Sequence, residues 1–365
     1  MIALCAALLA ASPAPAPATG PASAPTAIMA PVDAGAMAAV DGGADAASGT
    51  ATSASGATLT INTEAAVPGG ILVLDVRNYK WPEALRGKLL GEKLKFFTAG
   101  KKHQRALVGI SLEQEPGPLK VEVELHRGKT VETLSTTIAI ASKEFRKSEL
   151  KVASKFVTPP KSEKEHIAQD KVEINKAYKS LGFGPATFVG KLSQPRDSEI
   201  TAHFGDQRLY NGKKKNAHQG TDFDGKIGDP IQAAADGVVI LARGCYYSGN
   251  TVIVAHGGGL FTSYFHMSRM DVTPGQQVTR GTQLGLVGKT GRVTGPHLHL
   301  GVKIHDRLVD AEEAFKLDLG LDKGQTPEFP HLAIDVADGG ASDAGPEEHS
   351  EVDPLPASAG DAGAR

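Results

Sequence analysis

Residues 288–301 read GKTGRVTGPHLHLG, and the four near their end, His297-Leu298-His299-Leu300, decide the architecture. In a strand successive side chains point to opposite faces, so residues two apart project together. The spacing puts both imidazoles on one face and both leucines on the other. Such a strand needs an apolar layer behind its leucines, which means a sheet backed by a core. Gly-bounded runs of similar length surround it, at 238–242, 251–255, 261–266 and 283–287. Without long helical periodicity, residues 185–317 read as an antiparallel β domain.

Toward the N-terminus, residues 151–184 read as a linker carrying a helix over 162–181. Ser162-Glu163-Lys164-Glu165 has the form of a capping box, Ser at N-cap and Glu at N3. Ile167, Ile174, Tyr178 and Leu181 follow at helical multiples, Gly182 suits the position past the end, and Pro159-Pro160 is a stiff stop before it. Residues 57–150 read as a β-rich accessory domain. Val121, Val123 and Leu125 alternate with Glu122 and Glu124, and further strands are expected at 71–76, 94–98, 106–112 and 131–140. Turns at Pro68-Gly69-Gly70, Gly100 and 115–118 make this a small sandwich, immunoglobulin-like in one reading. It holds no His or carboxylate constellation, so a targeting or spacing role is expected, with docking to an envelope or division partner as one form of it.

The ends read as address and linker. Residues 2–11 (IALCAALLAA) have the length of a signal-peptide core, so 1–18 is a candidate signal segment. The run lacks a charged flank, which a start codon placed too late would explain, and it is too short to span a bilayer. Residues 19–56 are Ala, Pro, Gly, Ser, Thr and Asp with little to bury, and are expected to be a disordered linker. Residues 318–365 are expected to be an extension ending in a disordered acidic tail. The chain of 365 residues has a formal net charge of −2, but residues 51–334 hold 30 of its 41 acids and 38 of its 39 bases, a net +8. That body suits a mildly anionic partner, while the absence of a large basic cluster argues against nucleic acid. Two cysteines, Cys5 and Cys245, allow neither a disulfide framework nor a cysteine zinc site. A metal site has to be built from His and carboxylate.

Seven of the twelve histidines lie between His203 and His305. In His218-Gln219-Gly220-Thr221-Asp222 the even separation puts His218 and Asp222 on one face of an extended segment, and Gly220 between them leaves room for an ion. Tyr264-Phe265-His266 reads as another same-face pair. Each motif alone has a bland reading: a surface His before a turn Asp, two solvated histidines on an edge strand, a packed His. Together, His218, Asp222 and one of His297 and His299 make a three-ligand zinc set with one open position. Spacing does not say which of the two binds. The other, with His266, is left to move protons, so the inventory fits attack of zinc-activated water on an amide carbonyl with His as general base.

The sequence resembles the LytM/lysostaphin-type zinc metalloendopeptidases that cut peptidoglycan. The resemblance runs through ITAHFG at 200–205, HQGTD at 218–222, TSYFHMS at 262–268 and residues 288–301, and covers roughly 185–314. It implies one Zn2+ held by His218, Asp222 and His299, with His297 and His266 as the catalytic pair and His297 as the base. Peptidoglycan as substrate implies export to the periplasm or cell envelope. Departures are Met267 for a common Leu, Ala255 for a common Asp, and Gln207 in a stretch often written Arg-Arg. The region upstream resembles, more loosely, the β-rich N-terminal domain beside some Gram-negative members. Arg292, Tyr264 and Asn211 are candidate substrate contacts. Besides peptidoglycan hydrolysis, two other functions fit less well. A peptidoglycan-binding or amidase-activating protein on this scaffold would be expected to lack ligands, and an iron oxygenase triad would not need His266 and a further His.

Overall fold

Leu298, Leu300, Val302 and Ile304 are fully buried, and the sheet around them explains why. The chain is described by a computed structural model over residues 48–79, 84–151, 154–181, 183–212 and 214–330. The strand His297–Ile304 lies third in a sheet ordered Ile200–Ala202, Thr221–Asp224, His297–Ile304, Leu260–Met267, Gly249–Ala255, Gly237–Cys245 and Gln277–Val278. Arg307–Val309 pairs with its C-terminal half. Every pairing in this sheet is antiparallel. One face carries the four residues above together with Phe223, Val252, Val254 and Tyr264. Each fully buried aliphatic side chain contributes roughly 1.5–3 kcal/mol, so this face anchors the domain.

The same core takes in Ile71, Val73, Phe97, Ala99 and Leu107 from the N-terminal region, so the accessory module packs against the back of the sheet. That module has a five-stranded sheet ordered Ser48–Thr52, Thr58–Asn62, Ile71–Arg77, His103–Gly109 and Phe96–Gly100. A three-stranded sheet, Thr130–Ile140, Gly117–Arg127 and Ala84–Arg86, lies against it. Leu59, Ile61, Leu72 and Leu74 of the first meet Val121, Val123, Leu125 and Leu134 of the second in a separate core. The Val/Glu alternation at 121–125 is thus a half-buried strand, its glutamates exposed.

Four expectations need correction. The expected linker 19–56 ends in a strand, since Ser48–Thr52 pairs with Thr58–Asn62. Gly49 is confined by its neighbours: a Cβ there would come 2.7 Å from Ile138 Cγ2. The helix runs Lys164–Ser180, preceded by a 3₁₀ turn Lys161–Glu163, and neither has a side-chain cap bond. The tight turn after Pro160 draws Ser162 into itself, so the capping box does not form; Gly182 lies outside the described residues. The border at 150 is crossed, because Lys147–Leu150 pairs in parallel with Gln207–Tyr210. The border at 317 is crossed in the other direction. Asp322 N donates to Ala99 O at 2.8 Å, and Arg105 donates to Gly320 O at 2.7 Å and to Asp318 Oδ1 at 3.2 Å. The candidate signal segment 1–18 and the acidic tail after 330 lie outside the described residues. Among the described residues no helix is long and apolar enough to cross a membrane.

The helix Lys164–Ser180 crosses the opposite face of the sheet at one end, with Ala177, Ile174 and Tyr178 against Ile253 and Phe261. The rest of that face stays open as a cleft of about 370 Å³.

Candidate active site

Cross-strand register assembles the cluster. Asp222 stands opposite His299, and Phe265 stands opposite His299 from the other side. Directly opposed residues share a face, so Asp222 and the His299 ring are neighbours. His218 enters from the turn before Thr221–Asp224 and is buried. Its Nδ1 donates to the His203 carbonyl at 2.9 Å, which leaves Nε2 as a lone-pair donor toward the cleft. That Nε2 lies 3.1 Å from Asp222 Oδ1 and 3.0 Å from His299 Nδ1. His299 Nδ1 lies 2.8 Å from the same carboxylate oxygen. The three donor atoms fall within 4.8 Å of one another.

Burial would raise the Asp222 carboxyl, but the His218 and His299 imidazoles beside it outweigh that and hold the group well below the usual carboxylate range. Arg208, which the sequence reading did not single out, contributes as well: its Nη2 donates to Asp222 Oδ2 at 2.7 Å and leaves Oδ1 for the cluster. Arg208 Nη2 also lies 3.0 Å from His218 Nδ1, but that nitrogen's proton is committed to His203. The doublet position at Gln207 was the only sequence signal near it. Phe265, also unremarked, stacks on His299 with ring centroids 5.2 Å apart and planes 5° from parallel. Gly220 makes room for the His299 ring instead of for an ion, since a Cβ there would come 2.3 Å from His299 Nε2.

His266 and Tyr264 do not share a face. The strand pairs Asn250 with Met267 and Val252 with Tyr264, so an extra residue bulges between them, and His266 has φ +64°. The bulge re-aims His266 into the cleft while Tyr264 turns into the core. Tyr264 is fully buried, its hydroxyl accepting from Ala234 N and Thr262 Oγ1, each at 2.9 Å, so it is not a substrate contact. Asn211 has φ +51° in the turn between Gln207–Tyr210 and Lys214–Ala217, a left-handed position that the turn requires. Arg292 does line the cleft.

His266 Nδ1 donates to Thr290 O and His297 Nδ1 to Gly295 O, each at 2.9 Å. These bonds select the tautomer whose neutral ring carries its lone pair on Nε2, and the two rings stand 5.1 Å apart beside the cluster. His297 Nε2 lies 3.7 Å from Asp222 Oδ1, farther than His299 Nδ1 at 2.8 Å or His218 Nε2 at 3.1 Å. Burial first, then the neighbouring His299 and His297, pushes His266 down to about 3, so it is neutral at neutral pH. The same burial holds His299 down to about 4 against the pull of Asp222.

The family model for Peptidase family M23 matches residues 216–311, the segment that supplies all five of these groups. The crystal structure of a protein from Pseudomonas aeruginosa described as a peptidase M23 is 31% identical, covering 68% of this chain and 94% of its own, with a TM-score of 0.52. The chain belongs to peptidase family M23. Among M23 relatives, peptidoglycan DD-endopeptidase ShyA of Vibrio cholerae serotype O1 is 45% identical over 123 residues, 33% of this chain and 29% of its own length. DD-carboxypeptidase/endopeptidase Mpg of Neisseria meningitidis serogroup B is 40% identical over 95 residues, 26% of this chain and 21% of its own. The chain thus spans less than a third of the length of these curated M23 relatives.

Proposed function

We propose that this M23 protein is a zinc metalloendopeptidase that hydrolyses peptide bonds of cell-wall peptidoglycan and works outside the cytoplasm. The observation that carries the reading is the division of the four inner imidazoles. His218 and His299 bring one ring nitrogen each to the Asp222 oxygen, while His297 and His266 hang from backbone carbonyls with Nε2 beside them. Two imidazole nitrogens and a carboxylate oxygen are the donor set zinc takes in catalytic sites, and a Cβ at Gly220 would displace the ring that completes it. Zinc held there supplies Lewis acidity and acidifies a water at its open position.

The chain's own residues do the rest. His297, with Nδ1–H fixed, accepts a proton at Nε2 from the attacking water and can return it to the departing amine. His266, kept neutral by burial with its Nδ1–H held by Thr290 O, stands beside it with Nε2 placed to share that proton. Arg208 holds Asp222 by its outer oxygen, so the inner one stays aimed at the cluster. The name of ShyA supports peptidoglycan as the substrate class, and the +8 body suits an anionic wall.

Incubation of the purified protein with isolated sacculi, with and without chelator, tests this by mass spectrometry of released fragments. New amine and carboxyl termini that vanish with chelator are expected. Zinc bound without any new termini would leave the binding or amidase-activating reading in its place.

A further inference from the structure

Arg292 stands in the loop from which both proton-transfer histidines hang, between Thr290 and Gly295. Its backbone N donates to Tyr247 O at 2.8 Å, which fixes its root. Its guanidinium carbon lies 5.0 Å from the ring centroids of both Tyr210 and Tyr247. A guanidinium laid on ring faces keeps its N–H donors in its own plane, where they match a carboxylate two at a time. Arg105, Arg196, Arg208, Arg243 and Arg307 are each paired with a carboxylate. Arg292 forms no such pair among the described residues. The acidic residue lining the cleft, Asp306, acts on Lys303, whose ammonium sits 4.0 Å over the Tyr178 ring. A positioned, half-buried cation with unspent donors on the wall of a substrate cleft is a site for an anion brought by the substrate.

We infer that Arg292 is a specificity-determining residue that pairs with a free carboxylate on the substrate residue released as the amine. The inference rests on the peptidase reading above. The side follows from the loop: the histidines that pass a proton to the departing nitrogen are tethered two residues before Arg292 and three residues after it. The favoured bond is then a cross-link whose amine-side residue keeps its carboxylate. A glycine bridge, where that carboxyl is itself an amide, lacks the anion.

Two synthetic cross-link peptides, identical except for a carboxylate or a primary carboxamide on that residue, test this with the full chain. The zinc-loaded protein is expected to favour the carboxylate peptide in kcat/KM by about tenfold to a hundredfold, the range of a charge-assisted pair. In Arg292→Gln the ratio falls toward one, mainly through KM, and Arg292→Lys keeps part of it. A ratio near one in the unmodified protein overturns the inference, and so does a ratio that persists in Arg292→Gln while both peptides lose rate equally. If the unmodified protein cleaves neither peptide, the peptidase reading fails first. Calorimetric binding of the same two peptides then judges Arg292, and an affinity ratio unchanged by Arg292→Gln overturns its role.

Discussion

Two aspartates, Asp75 half-buried in the accessory module and Asp222 buried in the other, are surrounded by the same residue types and end in different chemistry. Asp75 in the accessory module takes Arg105 on both oxygens, Nε to Oδ1 at 2.7 Å and Nη2 to Oδ2 at 3.0 Å. His103 faces it at 3.0 Å through Nε2 and faces Asp322 at 2.9 Å through Nδ1. Both ring nitrogens look onto carboxylates, and Arg105 also ties down Asp318 and Gly320. Asp222 gives Arg208 only one oxygen. Its other oxygen meets two imidazole nitrogens, and the His218 proton is held elsewhere by a backbone carbonyl. The first cluster is a strap that fastens residues 318–322 to the accessory sheet. The second is a set of lone pairs converging on one point. Residue type does not separate them; the destination of each proton does.

The contrast is broken or sharpened most strongly at the second cluster. His299→Ala is expected to lose zinc and with it all hydrolysis. His297→Ala keeps zinc but loses about 10²–10⁴ in kcat/KM, the range of a general base. Metal analysis beside the sacculus assay checks both, and zinc lost from both variants would end the division of labour between ligand and base. At the first cluster Asp75→Asn leaves the buried Arg105 with the more exposed Asp318 as its remaining carboxylate. A loss of stability of about 2 kcal/mol is expected, with zinc content unchanged, read by urea unfolding and metal analysis. If that substitution strips zinc, the two clusters are not independent.

The third effect is pH-dependent. Burial would raise Asp75, but His103 and Arg105 outweigh it and lower its pKa from 3.8 to about 2. A group whose folded value is depressed contributes stability above its unfolded value and loses it as pH falls through the folded one. The contribution, of the order of 2 kcal/mol, should therefore be complete above about pH 4 and fade toward pH 2. Urea midpoints of the unmodified protein and Asp75→Asn are expected to converge over that window, and a constant gap would contradict the assignment. The smallest effect is at Tyr264→Phe. It strands the Ala234 N–H, costing about 1–3 kcal/mol of stability with little change in kcat, measured by thermal unfolding and peptide turnover. A large drop in kcat would return Tyr264 to the cleft.

Much of this was legible in the residues themselves. The leucines of HLHL are buried and its histidines lie on the opposite, half-buried face, because alternation is a property of the extended backbone at each step. Asp222 and His218 meet as their spacing suggested. Arg208, Phe265 and the strap at 318–322 were not legible, since each acts on residues distant along the chain.

What the sequence by itself determined is the list of donors and the face of the strand that presents them. Period-two geometry and the avoidance of buried unpaired polar groups need no partner segment to be known. The tertiary structure alone decided that His299 sits in the inner trio and His297 beside it. Register places Asp222 opposite His299 and Asp224 opposite His297, and that is set between strands some 75 residues apart. The turn of His266 was likewise decided there: the unequal lengths of chain between paired strands force a bulge, and a bulge flips a side chain that alternation would have sent into the core.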